Sequence, residues 1–128
     1  MKIVALIARI LLGLVFLVFG ANKIVPFMPT GPMPSGVAGQ FMGALFSSKY
    51  LIFVGLCEAL PGLLLLANRY VPLALTLLGP VIVNILLFGL LMSPSSLPTA
   101  LVVTVLWFMV YWRVRSAFAG IFQQRVEG

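Results

Sequence analysis

Glu58 and Arg9 are the side chains that could do chemistry in a setting where charge is costly. Glu58 is the only acidic residue before Glu127, and it lies inside a long apolar run, Tyr50–Ala67. A carboxylate in hydrocarbon is strongly unfavourable unless it is paired or put to use. Arg9, embedded in the first apolar run, is the partner the sequence offers. Asn84 and Thr76, in the third run, add neutral donors and acceptors. Such a cluster has two readings. As a structural device, Arg9–Glu58 locks two helices together and Asn84 adds a hydrogen bond. As a site, the cluster binds a polar headgroup such as a quinone carbonyl, or relays protons. A single carboxylate held ionised by an arginine is a poor proton carrier.

Spacing places these groups on helix faces. In the first run Arg9, Gly13, Phe16, Gly20 and Lys23 recur at intervals of four, three, four and three residues, which is one stripe of a helix. Gly55, Glu58, Gly62, Leu65 and Arg69 make a similar stripe in the second. Small residues let helices approach closely in lipid, so Gly13, Gly20, Gly55 and Gly62 mark packing faces. By the helical rise, Arg9 lies about 9 Å inside one end of its span and Glu58 about 15 Å inside the same side, a difference an arginine can cover. Pro61 leaves the Cys57 carbonyl, and Pro80 the Thr76 carbonyl, without a helical N–H, so each is expected to kink its helix. Asn84 follows Pro80 by one turn, at a depth within about 5 Å of Glu58.

The elements that must position these groups follow from composition. Of 128 residues, 62% are hydrophobic and 8% charged, with a mean hydropathy of +1.22. A soluble domain is about a quarter charged. So few charges cannot cover a water-facing surface, and the chain must be membrane-embedded. A membrane-spanning helix needs about 20 apolar residues. Four candidates appear: Ile3–Ala21, Tyr50–Ala67, Val71–Met92 and Leu97–Trp112. Asn68, Arg69 and Tyr70 make one tight turn, and Ser93, Pro94, Ser95, Ser96 and Pro98 another. Connections this short force antiparallel neighbours. The length suits one domain over residues 1–128, with no internal repeat. The opening run resembles a signal peptide, but Arg9 interrupts it and no small-x-small cleavage site follows, so it is read as a retained helix.

The long connection, residues 22–49, divides in two. Pro26, Pro29, Pro32 and Pro34 exclude regular helix from its first half. The apolar second half predicts a short helix on the membrane surface, or a cap over the bundle.

Charge distribution sets orientation and excludes one class of partner. Lys2, Arg69, Arg113, Arg115 and Arg125 fall on one side of the four spans, Lys23 and Lys49 on the other. The positive-inside bias then predicts cytoplasmic N- and C-termini. The net charge of +6 comes from basic residues scattered at the ends of apolar runs. That pattern fits anchoring in an anionic membrane and not nucleic acid.

Absent residue types exclude further chemistry. There is no histidine and one cysteine, Cys57. Internal disulfides, Cys-rich metal sites and histidine-ligated haem are therefore not expected. Cys57 is read as a small buried apolar residue. Met28, Met33, Met42, Met92 and Met109 are read as packing and lipid-facing residues and not as a copper relay. Trp107 and Tyr111, one turn apart, suit either stacking on a ring-shaped ligand or helix packing.

Several stretches resemble the DoxX-like family of small four-helix membrane proteins. They are RILLGLVFLVFGANKI with Gly20 and Lys23 near its end, FMPTGPMP at 27–34, FMGAL at 41–45, the stretch from Glu58 to Arg69, and YVPLALTLLGPVIVNILLF after it. The resemblance implies a four-helix protein of the bacterial cytoplasmic membrane. It also implies association with quinone-linked redox complexes, such as terminal quinol oxidase or thiosulfate:quinone oxidoreductase. Arg9, Lys23, Glu58, Asn68, Arg69 and Asn84 fall where related sequences carry these residue types. Where relatives often read LFH after the asparagine, this chain has Phe88–Gly89, which points to a non-catalytic subunit.

The expectation is an all-α integral membrane protein, an antiparallel bundle of four transmembrane helices with a short interfacial helix in the first loop. Its expected role is a non-catalytic accessory subunit of a quinone-linked redox complex, with a purely structural subunit or a small transporter as alternatives. It supplies no metal ligands of its own, and quinone or lipid are the bound molecules expected. Its partners are membrane lipids and other membrane-protein subunits or further copies of itself.

Overall fold

The computed structural model of the chain describes residues 2–27 and 35–125. Met28, Pro29, Pro32, Met33, Pro34 and Glu127 lie outside the described residues. The helices are α1 (Lys2–Ile24), α2 (Gly36–Ser47), α3 (Tyr50–Ala67), α4 (Val71–Leu91) and α5 (Leu97–Val114), with 3-10 turns at Pro94–Ser96 and Arg115–Phe122. Four helical stretches are long and apolar enough to cross a membrane: α1, α3, α4, and α5 with its flanking 3-10 turns. The chain is an all-α membrane protein.

Helix ends fall where backbone chemistry puts them. At the end of α3, Asn68 adopts the left-handed conformation, and the N–H groups of Asn68 and Arg69 bond the Leu65 and Leu64 carbonyls at 3.2 and 3.0 Å. This pattern satisfies carbonyls that a helix leaves open, and asparagine tolerates the backbone it needs. Pro72 then opens α4 and Pro98 opens α5, positions where the missing proline N–H is not needed. Pro61 and Pro80 both sit inside continuous helices.

The bundle closes as a ring. α1 packs on α3, α3 on α4, α4 on α5, and α5 back on α1. The α1–α3 seam is the tightest because glycines replace side chains there. A Cβ at Gly20 would stand 2.7 Å from the Gly55 carbonyl oxygen, and one at Gly62 2.8 Å from that of Gly13. The two contacts sit seven residues apart on each helix and run in opposite senses, so the helices are antiparallel. A seven-residue repeat is the spacing that lets two helices stay in register as they coil left-handedly.

Leu12, Phe16, Leu65, Leu75, Leu78 and Val103 fill the interior. The 3-10 turn at Arg115–Phe122 returns Phe118 to this core, its ring 5.1 Å from that of Tyr111. Leu14, Phe53, Leu63, Leu90, Leu101 and Phe108 face outward. In a bilayer such faces meet acyl chains, so they carry no penalty. The short helix α2 packs on α3, and its Phe41 ring lies 5.8 Å from Phe88 of α4. The predicted helix in the first loop is thus present.

Candidate functional site at the intramembrane ion pair

Glu58 is 3% exposed and is the one buried charged side chain among the described residues. It does not pair with Arg9. Its partner is Lys23, whose Nζ donates to Oε1 at 2.6 Å. Two local facts explain why Lys23 and not Arg9 reaches Glu58. First, α1 continues through Lys23 to Ile24, past the expected end at Ala21. Second, a helical Cα–Cβ bond leans toward the N-terminus of its own helix. On antiparallel α1 and α3, Lys23 and Glu58 therefore lean toward each other, while Arg9 leans away from Glu58. The glycine seam adds reach. The Lys23 Cβ passes 3.1 Å from where a Cβ on Gly55 would be, one turn from Glu58.

Arg9 does something else. Its Nη1 donates to the Leu65 carbonyl in the last turn of α3. There it meets the partial negative charge that a helix presents at its C-terminus. Arg9 thus also ties α1 to α3, but through the backbone and from the opposite end.

Thr76 and Asn84 do not join the ion pair. Thr76 Oγ1 donates to the Pro72 carbonyl at 2.8 Å and Asn84 Nδ2 to the Pro80 carbonyl at 3.0 Å, and both residues are exposed. The buried face of α4 is Ala74, Leu75, Leu78 and Ile82. Thr76 and Asn84 are two residues out of phase with Ala74, Leu78 and Ile82, about 200° around the helix. Depth fixes only one coordinate of a residue on a helix, and rotation about the axis fixes the other.

Other polar groups are also engaged within the chain. Trp107 Nε1 donates to the Leu75 carbonyl at 2.9 Å, linking α5 to α4. Its ring stacks on Tyr111, with 5.4 Å between centroids and 6° between planes. The two rings therefore stack on each other. Cys57 is a half-buried free thiol. Among the described residues no group of three His, Cys, Asp or Glu side chains gathers.

The site is thus a membrane-buried ion pair embedded in a backbone-to-backbone helix seam. Its residues were all visible in the sequence, but their pairing was not. The signal that finds it is the lean of side chains toward each helix N-terminus. The indole bond to Leu75 left no sequence signal.

A family model described as DoxX matches residues 4–85, from the first turn of α1 into α4. The chain belongs to the DoxX family. The matched DoxX stretch contains Lys23, Glu58, Arg9 and the four seam glycines, while α5 lies beyond it. No curated protein and no solved structure matches the chain.

Proposed function

We propose that this DoxX protein is a non-catalytic accessory subunit of a quinone-linked redox assembly in the bacterial cytoplasmic membrane. The Lys23–Glu58 pair carries the reading. A buried charge in a membrane usually marks function. Here the charge is matched within the same chain and placed on the seam that orients α1 against α3. Arg9, Thr76, Asn84 and Trp107 are likewise bonded to carbonyls of the chain itself. These groups are occupied in building a stiff scaffold, so the redox centre belongs to a partner. The broad apolar faces of the outer helices suit contact with partner helices and with quinone dissolved in the bilayer. The basic end, which carries Lys2, Arg69, Arg113 and Arg115, faces the cytoplasm under the positive-inside bias.

Native mass spectrometry after gentle extraction, with quinone analysis of the same sample, tests this. Co-purification with a haem, flavin or iron–sulfur protein is expected, accompanied by quinone. A bare homo-oligomer carrying bulk lipid alone would overturn the proposal and favour a self-standing membrane protein.

A further inference from the structure

Two voids adjoin at the end of the bundle where α1 begins, α3 turns into α4, and α5 ends. The first, about 500 Å³, is lined by Lys2, Arg9, Asn68 and Arg113, with Val71 and Val110 among its apolar residues. The second, about 440 Å³, is a nearly apolar groove between α1 and α5, bounded by Val4, Thr104, Val105, Phe108 and Trp112. Ala5 and Arg113 line both, so the two are immediate neighbours.

The first void is cationic, and the described chain supplies nothing to neutralise it. Glu58 is the only described acidic side chain, and it is bonded to Lys23 near the opposite end of α1. Helix termini do not set the sign either. α1 and α4 begin at this end while α3 and α5 finish there, so their partial charges oppose one another. Three cations from two helices therefore converge on one cleft. Guanidinium groups suit phosphate, because their N–H donors match its oxygens in pairs. Arg9 bonds the Leu65 carbonyl through one nitrogen and still lines the cleft.

The groove asks for a different chemistry. Thr104, its one hydroxyl, already donates to the Ala100 carbonyl at 2.7 Å. From Thr104 to Arg113 the groove follows α5 for about 13 Å, running along the helix. Trp112, with the Arg115 guanidinium 4.1 Å over its ring, is the kind of aromatic that settles at headgroup level.

We infer that the paired voids hold one anionic phospholipid, its phosphate among Lys2, Arg9 and Arg113 and an acyl chain in the α1–α5 groove. A free phosphate would answer the cations and leave the groove empty. A neutral quinone would fill the groove and leave three cations unmatched. An anionic lipid answers both. The site is separate from the Lys23–Glu58 pair and does not depend on the role proposed for the protein.

The test is native mass spectrometry of the full chain from nanodiscs of phosphatidylcholine mixed with phosphatidylglycerol. Selective retention of one phosphatidylglycerol is expected. The double variant Lys2→Gln/Arg113→Gln should lower that retention by about tenfold or more, since each basic residue near an anionic surface contributes measurably to binding. Arg9 is left intact because it also caps α3. The charge-matched control Lys49→Gln/Arg69→Gln, outside the cleft, should retain the lipid, with circular dichroism verifying the helices of both. Val105→Trp, which fills the groove, should also lower retention while keeping every charge. Equal retention of phosphatidylcholine, equal loss in the control, an unaffected Val105→Trp variant, or displacement of the lipid by inorganic phosphate would each overturn the inference.

Discussion

Lys23 and Glu58 close to 2.6 Å because the helices that carry them run in opposite directions past a seam of facing glycines. The lysine comes from near the end of α1 and the glutamate from inside α3. Each side chain leans toward the start of its own helix, and those two directions converge. The same geometry carries Arg9 away from Glu58 and onto the last turn of α3.

Removing one partner leaves the other charge stranded. Lys23→Met is expected to cost about 3 kcal/mol, the lower part of the range for a broken buried pair, because the lysine is partly exposed. Glu58→Gln in the same background should recover part of that loss. The swapped variant Lys23→Glu/Glu58→Lys should also recover part, since the summed length of the two side chains is unchanged. Unfolding in detergent across this cycle checks the coupling. Additive effects would contradict a direct pair.

The glycine seam predicts a sharp contrast between positions. Gly20→Ala would bring a Cβ to 2.6 Å from the Ala59 backbone nitrogen, and Gly62→Ala to 2.6 Å from that of Leu17. Each should lose about 1–3 kcal/mol, as overpacking does when backbone must move. Gly43→Ala in α2 meets nothing within 4 Å. It should gain up to about 1 kcal/mol from helix propensity. Thermal unfolding of the three variants decides the matter.

Arg9 is expected to act through charge at a helix end. Arg9→Met should destabilise by about 2–4 kcal/mol, the combined scale of a charged hydrogen bond and a favourable helix-end charge. Arg9→Lys should retain part of this, because an ammonium can still face the Leu65 carbonyl. Equal losses in the two variants would show that packing, not charge, is the contribution. Unfolding midpoints in detergent provide the measurement.

Trp107→Phe separates the indole bond from the stacked ring. It keeps an aromatic face against Tyr111 and removes the donor to Leu75. The expected loss is about 1 kcal/mol, the net value of one hydrogen bond. Trp107→Leu should cost more, since it also removes the stack. The two unfolding curves, compared with the parent, test this order.

Much of the scaffold was legible in the sequence because membrane spans announce themselves by apolar length. The second span is Tyr50–Ala67 as read, and the third and fourth differ from the observed α4 and α5 by two residues at most. The stripe of Gly13, Gly20, Gly55 and Gly62 pointed to the seam where it is found. The first span was ended too early because Asn22 and Lys23 read as polar termini. In lipid a lysine stem packs as hydrocarbon and its ammonium can turn inward to an acid. The cluster of Arg9, Glu58, Asn84 and Thr76 failed for a related reason. Depth along the membrane normal follows from counting residues, whereas lean and rotation about the helix axis do not. For α4 the rotation was recoverable from Ala74, Leu78 and Ile82, whose four-residue spacing leaves Thr76 and Asn84 on the far side.

The bare contact between α1 and α3 also governs how the bundle can deform. Elsewhere in the ring, interlocked side chains can change rotamer and let neighbouring helices slide in small steps. At Gly13–Gly62 and Gly20–Gly55 the closest approach is backbone to backbone, which offers little room for such adjustment. α1 and α3 are therefore expected to move together, with sliding left to the side-chain contacts that α4 and α5 make around the rest of the ring.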